Sequence, residues 1–437
     1  MAKIAVVGMG QGGMVAAIKL AKNGHDVTVY EQAARGEVSY DWTDDIRSDV
    51  FGICGLPMPN EDVYFQKCKW VFVSPNEKHR LPVPPCPPME EISVYRRKLS
   101  EYFATQAENV GCNLIFNKRI ERLVVENDAV IGVEVDDEKR LYDLVIDASG
   151  MCSKFRAQLP KKFGVQSQPK NDGIMYGYRA FFKKVEGAET VEKGIDSTVI
   201  LKQLGSEGIG WCNLLNDGTV DVLIGRIGRL DEAEKDKALA DLKNYNPILS
   251  DELISEHRVK ICVRASMARA VADGYVAIGD SAFMTMPIMG SGIEAAMKAG
   301  SMFADFVVEE NPSEFTAVSM WKFYVNYMRE LGAGFAFIDV IKRWALALKA
   351  KRIDWLFGSG VISKEDLSFV STEGGGKLKV RAKSVLLILL HPIFMCSAIK
   401  QLTKALRAQK CAEKIPSAYD FKKVAKWQKK YDKYVGA

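Results

Sequence analysis

The first residues able to do chemistry are Gly8-Met9-Gly10-Gln11-Gly12-Gly13, a G-x-G-x-x-G match with one added glycine. A turn of this kind at the start of a helix binds phosphate, because unpaired N–H groups and the helix dipole both favour an anion. Gly8 allows the tight strand-to-helix turn, Gly10 lets a pyrophosphate approach the backbone, and Gly13 lets the helix pack on its sheet. Glu31 stands where a carboxylate accepts hydrogen bonds from a ribose hydroxyl. Its charge disfavours a 2′-phosphate, so the site reads as one for FAD or NAD rather than NADP. Other chemistries find little support. The nine cysteines are scattered and never form Cys-x-x-Cys, and the four histidines never form His-x-x-x-His. That pattern implies reduced thiols, no disulfide framework and no metal site. No Ser-His-Asp set emerges.

Elements of definite kinds must hold the glycine turn in place. Residues 4–7 form a short apolar run, as in a buried parallel strand, and residues 14–23 follow with helical periodicity. Gly24 stops that helix, and residues 26–30 form a second strand ending at Glu31. This strand–helix–strand unit is the context the glycine motif needs. Further on, residues 144–156 read as a buried strand ending in a turn, and residues 275–300 as a strand, a loop with Pro287, then Gly290-Ser291-Gly292 opening a helix. Residues 173–228 alternate as antiparallel strands, with a hairpin turn at Asn216-Asp217-Gly218, and residues 70–73 and 78–83 are expected to join the same sheet.

With these three segments in order, the chain resembles the p-hydroxybenzoate hydroxylase superfamily of FAD enzymes, and within it the geranylgeranyl reductase branch. The resemblance covers roughly residues 1–310. It implies FAD as the cofactor, with Asp280 hydrogen-bonded to the ribityl chain. It places Pro287, Gly290 and Gly292 at the flavin, the two glycines bringing helix N–H groups near its pyrimidine ring. It gives Arg96, in Arg-x-x-Leu spacing, the role of pairing with the pyrophosphate. The superfamily's Asp-Gly pair is spread out here as Asp147-Ala148-Ser149-Gly150. Gly208-Ile209-Gly210-Trp211 is similar to the branch's Gly-Tyr-x-Trp element, although the Phe-Pro that follows there is Asn213-Leu214 here. Trp211 either stacks on substrate or packs the sheet. Cys54, in Gly52-Ile53-Cys54-Gly55, falls where the branch carries a Cys-Gly-Gly element beside the flavin. Its thiol either donates a proton to a reduced alkene or is a small buried side chain. The run 40–45, Tyr-Asp-Trp-Thr-Asp-Asp, either lines the site or forms a solvated loop.

The expected fold is therefore α/β: a Rossmann-like FAD-binding domain with an inserted antiparallel substrate sheet and a helical C-terminal region. The FAD domain takes residues 1–65, 88–165 and 258–310, the sheet domain 66–87 and 166–257, and the helical region 311–437. A chain of 437 residues, 48% apolar and 26% charged, suits two or three domains and excludes a disordered or collagen-like protein. Its formal net charge of +5 hides an asymmetry: residues 377–437 sum to +12 and the rest to −7. Gly374-Gly375-Gly376 reads as a joint before that basic tail. Residues 384–399 lack Lys, Arg, Asp and Glu, but no apolar run reaches the ~18–20 residues of a membrane span. An aromatic stripe (Phe421, Val424, Trp427, Tyr431, Tyr434) alternates with lysines. Such a helix suits an anionic membrane surface, and its alternatives are packing on the body or meeting an acidic redox partner. Nucleic acid is not expected, since no nucleic-acid fold accompanies the charge. The tail is expected to be removable with FAD binding intact.

The leading functional expectation is an FAD-dependent reductase of a carbon–carbon double bond in an apolar, isoprenoid or lipid-like substrate. Hydride would come from reduced flavin N5. The alternatives are an FAD monooxygenase of an aromatic or polyketide-like substrate and a non-catalytic flavin-binding or membrane-surface protein. The absence of a second G-x-G-x-x-G means that the electron donor is NAD(P)H bound without its own Rossmann domain, or a redox protein. The expected location is cytoplasmic, with peripheral attachment to the inner face of the membrane as the variant the tail raises; the sequence shows no cleavable leader pattern.

Overall fold

The computed structural model describes residues 1–83, 87, 89–363 and 391–436. Its first layer is a six-stranded sheet in the order Val271–Ala272, Tyr275–Ala277, Leu144–Asp147, Lys3–Val7, Asp26–Tyr30, Asn113–Ile115. All its pairings are parallel except the short Val271–Ala272 edge. The central strands are continuous apolar runs because helices cover them: Ile4, Ala5 and Val6, and Leu144, Val145 and Ile146 beside them, are wholly buried. Helix Gln11–Lys22 opens directly from Gly10, three residues earlier than the periodicity alone predicts. It lies against helix Ile293–Glu310 almost backbone to backbone, since a Cβ on Gly300 would come within 2.0 Å of the Gly12 carbonyl oxygen.

The second layer is a seven-stranded sheet: Leu249–Cys262, Ile174–Lys184, Thr219–Ile227, Gly208–Leu214, Ser197–Leu201, Trp70–Val73, Arg80–Pro82. The hairpin at residues 216–218 forms as expected, and the early pair joins this sheet, Trp70–Val73 running parallel to Ser197–Leu201. Helix Glu232–Tyr245 packs Ala238 and Leu242 against Val222 and Ile224 on one face. Strand Leu249–Cys262 was not legible in the sequence. It is an edge strand whose residues 251–254 are all exposed, so no apolar alternation marks it. It runs through the expected boundary at residue 258 and stays in the sheet to Cys262. A small sheet of Thr43–Arg47, Glu91–Tyr95 and Tyr64–Gln66 forms a further layer.

The C-terminal region is helical: Ala317–Tyr327, a π-turn at Met328–Gly332, then Ala333–Ala347, Ala350–Gly358, Pro392–Glu413 and Phe421–Val435. Pro392 is tolerated at the start of its helix because a first-turn N–H has no partner in the ladder, so the missing N–H costs no bond. The second half of the uncharged run 384–399 belongs to this helix. Residues 384–390, the Gly374–Gly376 joint and a cap read at Ser363 and Asp366 lie wholly or partly outside the described residues. Among the described residues no helix is long and apolar enough to cross a membrane.

The last helix takes the second of the three readings of the tail, packing on the body. Its apolar stripe faces the protein: Val424, Trp427, Tyr431 and Val435 are buried in the main core. Tyr431 donates to the Ser266 carbonyl at 2.9 Å, Trp427 Nε1 to the Cys411 carbonyl at 2.7 Å, and Gln428 Nε2 to the Gly164 carbonyl at 3.1 Å. Aromatic residues with a polar tip bury well only where that tip finds a partner, and here each does. Burial takes the middle of the stripe, while Phe421 at one end is 46% exposed and Tyr434 at the other is half-buried.

Candidate functional site

A cavity of ≈ 850 Å³ lies between the two large sheets and takes its walls from both. At one end are Gly8, Gly10 and Gly12, Glu31, Gln32, Lys118 and Arg119; at the other are Trp42, Trp70, Phe72, Arg179 and Trp211.

The first end is the dinucleotide cradle. Gly8 has φ +91°, and a Cβ there would meet the Ala148 carbonyl oxygen at 2.7 Å. Only glycine combines that backbone with that clearance. Gly10 and Gly13 are held for the same neighbour. A Cβ on Gly10 would reach the Ala148 oxygen at 2.9 Å, and one on Gly13 the Ala148 Cβ at 2.4 Å. The glycines thus admit the adjacent strand's turn as well as a ligand. Glu31 is 8% exposed and accepts from the backbone N–H of Met9 and of Ala33, both at 2.9 Å. Those bonds fix the carboxylate at the rim of the glycine turn, and its remaining lone pairs are able to accept ribose hydroxyls.

Asp280 and the helix start at Gly292 form the middle of the cavity. Thr285 Oγ1 donates to Asp280 Oδ1 at 2.7 Å, and a Cβ on Gly292 would come within 3.0 Å of the same oxygen. Gly290, at φ +70°, turns the chain into helix Ile293–Glu310, whose first N–H groups face the cavity beside Asp280. Asp147, the displaced acid of the Asp-x-x-Gly segment, is fully buried and does not line the cavity. It accepts from Ser149, Ser153, Tyr275 and Ser281, and so locks the 144–156 and 275–300 segments together. The glycine cradle, the fixed Glu31 carboxylate and the Asp280–Gly292 pocket are in one continuous cavity, and together they fit FAD.

Arg96 lines the cavity, but its guanidinium is already engaged. It donates to Asp44 at 2.8 Å and to Ser39 at 2.9 Å and lies over the Tyr40 ring. Pro287 is buried and is not among the lining residues, although Met286 and Ile288 are. Cys54 departs further from its expected role. It is wholly buried in the core, outside the cavity lining, and burial pushes its thiol up to about 11. It is the small buried cysteine of the two readings, because helix Val50–Ile53 turns it inward behind Phe51.

The substrate end gathers groups that motif reading missed. Of the run 40–45, Tyr40, Trp42, Thr43, Asp44 and Asp45 line the cavity, the last three carried by strand Thr43–Arg47, while Asp41 is exposed outside it. Arg179, 6% exposed, grips Asp221 with two bonds of 3.0 and 2.9 Å, reaches Asp44 at 3.2 Å, and lies 4.7 Å from the Trp42 ring centroid and 5.5 Å from that of Trp211. Burial alone would lower its charge affinity, but Asp221 and Asp44 outweigh it and keep the guanidinium firmly charged. The two neighbouring aspartates diverge. Burial pushes Asp44 up, and Arg96 and Arg179 together overcome it, so Asp44 stays below the usual carboxylate range. Burial also raises Asp45, and there Lys67 at 3.8 Å and the Ser93 hydroxyl at 2.5 Å do not compensate, so its carboxyl holds a proton above the usual range. Trp211 lines the cavity and also packs against the hydrophobic clusters of the seven-stranded sheet, which suits either of its two readings. The indole N–H groups of Trp211 and Trp70 and the Asn213 side-chain oxygen are buried there without a partner among the described residues. Among the described residues no group of three or more His, Cys, Asp or Glu could hold a metal ion.

Residues 6–44 match the model of an NAD(P)-binding Rossmann-like domain. Among curated proteins, the digeranylgeranylglycerophospholipid reductase of Sulfolobus acidocaldarius is 23% identical over 268 residues, 60% of this chain and 59% of that protein. The chain thus spans under two thirds of that relative. Digeranylgeranylglycerophospholipid reductase 2 of Methanopyrus kandleri is 24% identical over 80% of this chain and 86% of its own length. Protein FixC of Escherichia coli K12 is 23% identical over 71% and 77%. Among solved structures, a geranylgeranyl bacteriochlorophyll reductase-like protein of Thermoplasma acidophilum aligns with a TM-score of 0.73 at 18% identity, over 92% of this chain and 99% of that one. The flavin-dependent brominase Bmp2 aligns at 0.64 and 16% identity, over 90% and 99%. The fold is that of the flavin-dependent oxidoreductases, with a Rossmann-like FAD domain, and the likeness to geranylgeranyl reductases read from the motifs holds.

Proposed function

We propose that this chain, built on the fold of the flavin-dependent oxidoreductases, reduces a carbon–carbon double bond of an isoprenoid or similarly apolar lipid. One observation carries the reading: the aromatic and aliphatic end of the cavity opens without interruption onto the dinucleotide cradle and is lined by Asp45, a carboxyl that burial pushes above its usual range. Curated relatives named as reductases of digeranylgeranyl lipids support it.

FAD bound in the cradle supplies hydride chemistry at its isoalloxazine ring. The chain's own residues do the rest. Glu31 and the glycine turn hold the adenosine and phosphates, and Asp280 with the N-terminus of helix Ile293–Glu310 receives the ring end. Trp42, Trp70, Phe72 and Trp211 give an apolar chain a dry bed, and the unpartnered indole N–H groups of Trp70 and Trp211 offer donors to a lipid's polar end. Asp45 gives its proton to the carbon next to the one that accepts hydride, so the alkene gains two hydrogens and the carboxylate formed is reprotonated from solvent. Arg179 and Arg96 keep Asp44 ionised, so two adjacent carboxyls take different protonation states. Electrons return from NAD(P)H or a redox protein.

The test is product analysis. Incubation of the FAD-loaded protein with a geranylgeranyl lipid and a reductant should give a product heavier by two hydrogens per bond, detected by mass spectrometry. A product that gains oxygen would instead support oxygenation of an aromatic or polyketide-like substrate, the reading favoured by the shared fold of the probable FAD-dependent monooxygenase pqsL of Pseudomonas aeruginosa (TM-score 0.58, 15% identity).

A further inference from the structure

The last helix buries its aromatic face, yet it leaves its lysines in the open. Arg407, Lys410 and Lys414 from one helix and its end, and Lys423, Lys426 and Lys430 from helix Phe421–Val435, line a groove of ≈ 370 Å³ floored by Trp427. All six cations are exposed, and none forms an ion pair with a carboxylate of the described residues. Asp420 caps its own helix by accepting from the Lys423 N–H, Asp432 has Arg264 and Arg269 of the body as charge neighbours, and Glu413, exposed beside Lys414, forms no ion pair with any of the six. A concentration of like charge this high is costly unless an anion sits on it.

The neighbouring helix adds a second, independent feature. Helix Pro392–Glu413 buries Ala405, Ala408, Cys411 and Ala412 against the protein. Ile399, Leu402 and Leu406 recur at three- and four-residue spacing on another face and are 56, 46 and 51% exposed. Steps of three and four residues keep side chains on one stripe of a helix. Lys410 continues the stripe by four residues and belongs to the groove. An aliphatic stripe therefore adjoins a basic groove.

We propose that this surface seats the protein on an anionic phospholipid bilayer, the groove taking phosphate headgroups and Ile399, Leu402 and Leu406 entering the acyl boundary. A soluble anion would use only the groove, and an acidic protein would need no aliphatic stripe. A bilayer rich in acidic lipid matches both at once. The site differs from the aromatic stripe that sequence suggested, and it is independent of the redox reading.

Co-sedimentation of the full chain with phosphatidylcholine vesicles, with and without phosphatidylglycerol, tests it. Binding is expected only with phosphatidylglycerol and should weaken as salt rises. Lys423→Gln/Lys426→Gln/Lys430→Gln should lower the partition coefficient about 100-fold, and Leu402→Gln/Leu406→Gln about 10-fold. Both variants change exposed side chains, so an unchanged thermal midpoint separates lost binding from lost folding. No binding at low salt overturns the proposal. So does binding that inorganic phosphate competes away and the aliphatic double variant leaves untouched, which would make the groove a soluble-anion or acidic-protein site.

Discussion

In the proposed reduction, Asp45 is the residue on which the chemistry turns. Asp45→Asn keeps the shape and removes the proton, so steady-state turnover should fall by about 100-fold or more while FAD binding stays intact. The pH profile has a definite sign. Asp45 is protonated below its raised value, so turnover should decline as pH rises through it. The native state binds this proton more tightly than the unfolded chain, so the stability tied to it is lost over the same upward step. Asp44 runs the other way: its lowered value means its contribution is lost as pH falls through that value. Thermal midpoints of wild type and Asp45→Asn should therefore lie closest at low pH, where Asp45 is neutral like the amide, and separate as pH rises and the wild type falls. Arg179→Met would strip its partner from buried Asp221 and is expected to cost about 3–5 kcal/mol in a denaturant titration. Glu31→Ala loses the acceptor for ribose and two anchored turn N–H groups, and should weaken FAD binding about 10- to 100-fold by fluorescence titration. Neither Arg179 nor Asp221 was legible as a site residue. The acidic–aromatic run was conspicuous in the sequence, but which of its acids keeps a proton depends on Arg96, Arg179 and Lys67, which fold in from distant strands.

At the scale of elements, local signals worked where backbone geometry imposes them. The strand–turn–helix around Gly8 and Gly13 had to be glycine-rich, because Ala148 and Gly300 approach within contact distance of its backbone. Gly13→Ala should destabilise by about 1–3 kcal/mol, read from the urea midpoint, since two Cβ atoms cannot stand 2.4 Å apart. Antiparallel strands with alternating faces were equally readable. Edge strand Leu249–Cys262 was not, because solvent on much of its surface erases the pattern. The basic helix Phe421–Val435 shows the opposite limit: amphipathicity says that one face is buried, not against what. Tyr431 lies wholly inside the core, so Tyr431→Ala should cost about 3–5 kcal/mol. Deleting residues 377–437 should expose core and destabilise the body, contrary to the detachable tail the sequence suggested.

For the whole molecule, the two sheets matter because neither makes the site alone. The six-stranded layer supplies the dinucleotide cradle, the seven-stranded layer the apolar bed, and Arg179 ties the second to strand Thr43–Arg47. This arrangement was legible as a plan from motif order, while the contrast between Asp44 and Asp45 appears only once the layers meet. The charge asymmetry likewise keeps its place in the basic tail, but its carrier moves from aromatic rings to a groove and an aliphatic stripe. The most direct measurement of the central claim is an anaerobic single turnover. The FAD-loaded protein, reduced and freed of excess reductant, is mixed with a geranylgeranyl lipid while the visible flavin absorbance is followed. The absorbance of oxidised flavin should return in proportion to double bonds saturated, and should return far more slowly in Asp45→Asn. Flavin that stays reduced until air is admitted, with oxygen then found in the substrate, would contradict the reductase.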